Sequence, residues 1–323
     1  MVLKNKDWLD HNFLPDIALF RENEIKILAE NIESGINSFV FGNAGVGKTL
    51  VSHIVLREAF EKLGIIPVYI NGFFHSTFVS ISKEIFQKVN PLSVLKAISK
   101  EEFAERLELL ASKKNLVVCL DEVDAIESDC LYILSRLKNR FPLILITNNP
   151  EFLYKIDGRI RSSLLLDRVN FRDYTLQEIK EIIEYRLKKA FFDYEEGISL
   201  YLAGFVSKHG SDIRIALKVL QKAALIAEQK GSKTLKMEFV KNVVESGKLV
   251  LPRKEILISS LKEQEKEVLN LIVKGKKTSS EILNSLEQKT SLRTLQLYLK
   301  NLEEKGLIKS FREGNEVKYE PDL

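Results

Sequence analysis

The chain has 323 residues, 45% hydrophobic and 29% charged, with a formal net charge of +4. That length suggests two or three domains, and the mild basic excess is compatible with a nucleic-acid partner without requiring one. No apolar run reaches the ~18 residues of a membrane helix, the first residues lack a signal-peptide layout, and the two cysteines, Cys119 and Cys130, form no metal-ligand pattern, so a cytoplasmic chain with no membrane partner is expected.

Residues 37–41 read as a short apolar strand, and residues 50–63 carry apolar side chains at helical spacing. Between them stands Gly42-Asn43-Ala44-Gly45-Val46-Gly47-Lys48-Thr49, a complete G-x-x-x-x-G-K-T phosphate loop that leads into Leu50. Glycines let backbone N–H groups curl around a phosphate, and the helix N-terminus adds partial positive charge. Lys48 can reach the β and γ phosphates of ATP, and the Thr49 hydroxyl can ligate Mg²⁺. Further strands are expected at 65–71, 115–120, 143–147 and 165–171, with helices at 77–89 and 100–112. This alternation predicts a parallel sheet covered on both faces. The third strand ends in Asp121-Glu122, which places Asp121 beside the metal and Glu122 where it can orient the attacking water.

After Phe171 the pattern is helical. Thr175-Leu176-Gln177-Glu178 is a capping box opening a helix to about residue 190, and further helices are expected at 198–208, 211–229 and 236–246. A linker is expected at 247–253. Beyond it come a helix at 264–273, a second capping box at Thr278-Ser279-Ser280-Glu281, and a helix capped by Ser291 with Leu292, Leu295, Leu299 and Leu302 on one face. A hairpin with its turn at Glu313-Gly314-Asn315 follows. Three helices and a hairpin predict a winged helix-turn-helix. Its third helix offers Arg293, Thr294, Gln296 and Lys300 to a major groove, and the hairpin offers Lys309, Arg312 and Lys318.

With these landmarks the sequence resembles the archaeal replication initiators related to the origin recognition complex and the Cdc-type helicase loader, a branch of the AAA+ ATPases. Phe13-Leu14-Pro15 followed by Arg21-Glu22 is similar to the family's segment over the adenine. Gly42 to Thr49 and Leu120 to Asp124 match its Walker motifs. Thr147-Asn148-Asn149 resembles sensor 1, with Asn148 near the γ-phosphate. Asp157-Gly158-Arg159-Ile160-Arg161-Ser162-Ser163-Leu164 resembles box VII. His209-Gly210-Ser211-Asp212-Ile213-Arg214-Ile215-Ala216-Leu217 resembles sensor 2, in which Arg214 touches the nucleotide from the lid.

The resemblance implies a AAA+ P-loop base (residues 1–171), a helical lid (172–250) and a C-terminal winged helix (251–323). It implies ATP or ADP with Mg²⁺ as cofactors, and slow regulatory ATP hydrolysis served by Glu122, Asn148, Arg214 and Arg161. Double-stranded origin DNA, the replicative helicase and other initiator copies are the implied partners, in the cytoplasm and associated with the nucleoid. The chain departs from the family in three places. Residues 71–116 leave little room for the family's DNA-contacting helical insertion. The loop reads Asn43-Ala44-Gly45-Val46 where many relatives have Pro-Pro-Gly-Thr. Ser163 aligns with the trans-acting arginine of eukaryotic relatives, so that Arg159 or Arg161 serves in its place or the chain has no such finger. A transcription regulator on the same scaffold is the alternative. A clamp loader carries a helical collar in place of the winged helix.

Overall fold

The computed structural model describes residues 2–90, 99–138, 141–246, 261, 263–275, 278–286, 290–304, 307–313 and 316–321. The expected linker at 247–253 and the turn residues Gly314 and Asn315 lie outside them. The chain folds as two compact units, Met1–Asn242 and Val243–Leu323.

The sheet of the first unit contains β1 (Ser38–Gly42), β2 (Ile66–Asn71), β3 (Leu116–Asp121), β4 (Leu143–Thr147) and β5 (Asp167–Phe171). All pairings are parallel, in the order β2-β3-β4-β1-β5. Every residue of central β3 and β4 is buried, which is why both strands read as unbroken apolar runs. The register pairs Asn71 with Asp121 and Phe41 with Thr147, so the carboxyl ends of the strands line up at one edge.

On one face, Phe39, Val68, Ile70, Val118, Leu120 and Leu145 pack with α3 (Phe78–Val89), α4 (Lys100–Lys113), α5 (Ser128–Arg136), α6 (Phe152–Lys155) and α7 (Gly158–Leu164). On the other lies α2 (Lys48–Leu63), with Val51, Ile54 and Val55 buried, next to α1 (Glu22–Glu33). Leu165, expected as the first residue of the last strand, takes a left-handed conformation with φ 47°. That bend ends α7 and delays β5 to Asp167.

Four helices follow: α8 (Leu176–Ala190), α9 (Ile198–Lys208), α10 (Ile213–Gln229) and α11 (Met237–Glu245). The Thr175–Glu178 capping box forms as expected, with both reciprocal bonds present. The N-terminal residues are strapped along α8. Lys4 and Asn5 donate to Ala190 O, Phe192 N donates to Val2 O, and Trp8 packs edge-on against Tyr185.

The second unit contains α12 (Glu263–Val273), α13 (Ser279–Ser285), α14 (Leu292–Glu304) and the antiparallel hairpin β6 (Ile308–Glu313) and β7 (Glu316–Pro321). The Thr278–Glu281 capping box opens α13, and a bridge from Thr278 to Lys318 ties the hairpin to that helix start. Val268, Ile272, Ile282, Leu295, Leu299 and Leu302 form its core. This is the winged-helix arrangement that the sequence predicts.

Candidate nucleotide site and nucleic-acid face

The strand ends, the loop after β1 and the first turn of α2 enclose a cavity of about 450 Å³. That is ample for a nucleotide-sized ligand. Ala44, Gly45, Gly47, Lys48, Thr49 and Leu50 form its floor. Asp121, Glu122 and Asn148 line the strand side, and Ile182, Arg186, Ile213, Arg214 and Leu217 line the helical side. His11, Asn12, Phe13, Leu14 and Pro15 close the remaining wall.

The loop owes its shape to its glycines. Gly45 and Gly47 have φ of 77° and 92°, a region that L side chains rarely adopt. Gly42 answers a different need, because an added Cβ would lie 2.3 Å from Phe171 O. The Lys48 ammonium donates to Gly42 O (2.9 Å), Asn43 O (2.7 Å) and Asn148 Oδ1 (2.7 Å). Burial brings its pKa down to about 8 against the partial support of Asp121. The Asn43 side chain faces away and donates to both oxygens of Asp173.

Asp121 is the hub of the acidic side. Its Oδ2 accepts from the Thr49 hydroxyl (2.7 Å) and from Tyr69 (2.8 Å), and its Oδ1 accepts from Glu122 N (2.8 Å). The Tyr69 phenol is pushed up, first by burial and then by Asp121. His53 lies against the Tyr69 ring at 4.2 Å, and burial pushes its imidazole down. Glu122 adopts φ 52°, a left-handed conformation unusual for a carboxylate residue. Burial, then Asp121 and Asp124, raise its pKa, while a hydrogen bond from Asn71 lowers it. The Thr49 hydroxyl and Asp121 carboxylate are hard oxygen donors within bonding distance of each other. They suit a Mg²⁺ that keeps most of its waters and is shared with a phosphate chain.

Arg21 departs from the expectation that it lies over the adenine. It is fully buried beneath the loop. Its guanidinium donates to Val46 O (3.1 Å), Tyr174 OH (3.2 Å), Glu24 Oε1 (2.9 Å) and Arg172 O (2.6 Å), and sits 4.1 Å over the Tyr174 ring. The adenine segment at Phe13-Leu14-Pro15 does line the cavity, but Arg21 supports the loop from below. Arg161 is not brought to the cavity: it is exposed and donates to Leu153 O (3.1 Å). Arg159 is bound to Asp157 on the same helix start. Neither arginine belongs to this chain's own nucleotide site.

Arg214 does line the cavity, held by Asp212. Tyr69, Tyr174 and Arg186 line the cavity with no motif in the sequence to announce them, as does His53, which the sequence suggests only as a helix-covering side chain. Arg186 is buried and donates to Trp8 O (3.1 Å), and burial brings its pKa down to about 10.

In the second unit, Arg293, Gln296 and Lys300 are exposed on one side of α14, at the i, i+3, i+7 spacing of a helix face. Leu297, an apolar side chain, is exposed among them. Thr294 is half-buried, with its backbone N–H capped by Ser291 Oγ. Lys309 and Arg312 are exposed on β6, and Lys318 is partly covered on β7.

A phosphate loop, an acidic strand end, a polar residue closing β4 and an arginine from a following helical layer define a AAA-type nucleotide-binding protein. Residues 34–154 match the family model described as "AAA domain", and residues 261–323 match that of the "Penicillinase repressor". The chain is 30% identical over 298 residues to the ORC1-type DNA replication protein 1 of Sulfurisphaera tokodaii, covering 85% of this chain and 74% of that one. It is 28% identical over 350 residues to the ORC1-type DNA replication protein of Desulfurococcus amylolyticus, covering 95% and 87%. Among solved structures it resembles the Aeropyrum pernix ORC1 protein in complex with DNA (TM-score 0.68, 24% identity, 100% of this chain and 94% of that chain). It also resembles the Aeropyrum pernix ORC2 protein in ADPNP–ADP complexes (TM-score 0.75, 20% identity, 100% and 94%). The chain belongs to the ORC1-type DNA replication protein family.

Proposed function

We propose that this chain is a replication initiator in which ATP controls binding to duplex origin DNA, and that it helps recruit or load the replicative helicase, alongside other initiator copies. The observation that carries the reading is one cavity gathering Lys48, Thr49, Asp121, Glu122, Asn148 and Arg214 in a chain that also carries a winged helix. ATP or ADP binds there. Lys48 and the loop N–H groups hold the phosphates, and Thr49 and Asp121 hold Mg²⁺, which neutralises phosphate charge. Glu122 positions water, and Asn148 holds the Lys48 ammonium in place. Hydrolysis would be weak and regulatory, a switch between states of different DNA or partner affinity. Arg161, exposed on α7, is the candidate to act on a neighbouring copy's nucleotide.

The winged unit reads DNA through Arg293, Thr294 and Gln296, with Lys300, Lys309, Arg312 and Lys318 meeting phosphates. The Aeropyrum pernix ORC1 protein, solved in complex with DNA, supports a DNA partner for a chain of this family. The repressor match over residues 261–323 favours a second reading, a transcription regulator. Genomic footprinting with and without ATP separates the two. A few sites flanking an A·T-rich unwinding region support the initiator, and sites spread over promoters refute it.

A further inference from the structure

We propose that Asp212 is a positioning residue that aims Arg214 into the nucleotide cavity before nucleotide arrives. The inference rests on the reading of Arg214 as a nucleotide contact and adds the group that presents it.

The observations are local and mutually consistent. Asp212 is the N-cap of α10, accepting from Arg214 N at 3.0 Å. The same carboxylate grips the arginine side chain. Its Oδ1 accepts from Nε at 2.9 Å and its Oδ2 from Nη2 at 2.6 Å, a two-point fork. One edge of the guanidinium is thereby fixed on a residue that lines the cavity. The carboxylate itself is buried against the loop. It is 7% exposed, and a Cβ built on Gly45 would lie 2.0 Å from its Oδ1 and 2.8 Å from its Cα. Asp212 is therefore seated directly on the backbone of the phosphate loop. Gly45 is needed both for its φ of 77° and for this approach.

A buried carboxylate left without its cation is costly, so Arg214 keeps its grip on Asp212 when phosphate enters. The arginine binds phosphate through its remaining donors while the fork holds. A long side chain that is otherwise half in solvent, at 47% exposure, has its rotamer freedom removed in advance. Asp212 thus spares the nucleotide the ordering of Arg214. Through Gly45 it also ties the start of α10 to the loop that cradles the phosphates.

The test is a double-mutant cycle on the full chain, reading ATP and ADP affinity with Mg²⁺ by calorimetry and the melting temperature without nucleotide. Asp212→Asn keeps a good helix cap but loses the charged fork. We expect it to weaken nucleotide binding about tenfold at an unchanged melting temperature. In an Arg214→Ala background the same substitution should change affinity less than twofold. Equal losses in both backgrounds would show that Asp212 acts through the fold alone and overturn the proposal. So would parental or tighter binding by Asp212→Asn. If Arg214→Ala alone left affinity unchanged, the reading of Arg214 as a nucleotide contact would fall first, and this proposal with it. A weakened Arg214→Ala beside an unaffected Asp212→Asn removes only the positioning role.

Discussion

Replacing Arg21 should destabilise the first unit and loosen its nucleotide site together. The guanidinium has no exposed surface and satisfies two backbone carbonyls, Val46 O and Arg172 O, one phenol and the Glu24 carboxylate. Arg21→Met removes the cation but keeps much of the volume. It leaves Glu24, whose side chain is 12% exposed, without its cation, together with two orphaned carbonyls. Breaking a buried ion pair from one side costs about 3–5 kcal/mol, and the orphaned carbonyls act within that figure, since such losses do not add. Against a typical stability of about 5–15 kcal/mol, the variant should unfold at visibly lower urea while still folding in buffer. Trp8, the single tryptophan, packs against Phe13 and Tyr185 and reports the transition by fluorescence. Nucleotide affinity should fall at least about tenfold, because Val46 loses the anchor that holds the loop crest. Arg21→Lys should rescue little, since a single ammonium cannot reach four acceptors in a plane. A stability loss below about 1 kcal/mol with parental nucleotide affinity would refute the claim that Arg21 braces the loop.

Lys48 makes nucleotide binding depend on pH. Its folded value is about 8 against an ordinary 10.5, so the nucleotide-free unit sheds a proton above pH 8, and the penalty for charging Lys48 is full below pH 8. Bound phosphate favours the ammonium, so calorimetry at pH 8.5 in buffers of different ionisation enthalpy should show proton uptake on ATP binding; Lys48→Ala should abolish binding. Glu122→Gln should keep ATP affinity and stop turnover, and a parental hydrolysis rate in that variant would remove Glu122 from catalysis. Deleting residues 255–323 should remove most DNA affinity while ATP binding survives. Within that unit, Arg293→Ala should cost about 1–3 kcal/mol and relax sequence preference, whereas Lys300→Ala should weaken all sequences alike and reduce the salt slope by about one, read by gel shift at several salt concentrations.

Periodicity and motif carried far in this chain. The five strands were legible because β3 and β4 are wholly buried and the others are bounded by turn signals. Both capping boxes announced α8 and α13. Helices α1 and α5 escaped notice because Arg21 and Glu127, at their N-cap positions, make no side-chain capping bond. Asn148 and Arg214 were reached only through the family resemblance, whereas the phosphate loop and acidic pair were readable from their spacing. Tyr69 and Arg21 were not, since each acts across strands or across more than a hundred residues of sequence, where spacing carries no signal. Asp212 stood beside Arg214 in plain view, yet its contact with Gly45 exists only in the fold.

The two places where chain passes between the sheet and the helical layer have a mechanical consequence. Residues 16–21 carry the N-terminal strap, fastened along α8, back to the base, and residues 172–175 lead from β5 into α8. These two connectors are stitched together where Arg21 donates to Arg172 O and stacks on Tyr174. Two ribbons pinned at a shared point are not independent tethers. That point lies at the loop itself, where Arg21 donates to Val46 O and Tyr174 OH would lie 2.9 Å from a Cβ added at Gly47. A substitution in either connector is therefore expected to reach the phosphate cradle through this shared contact.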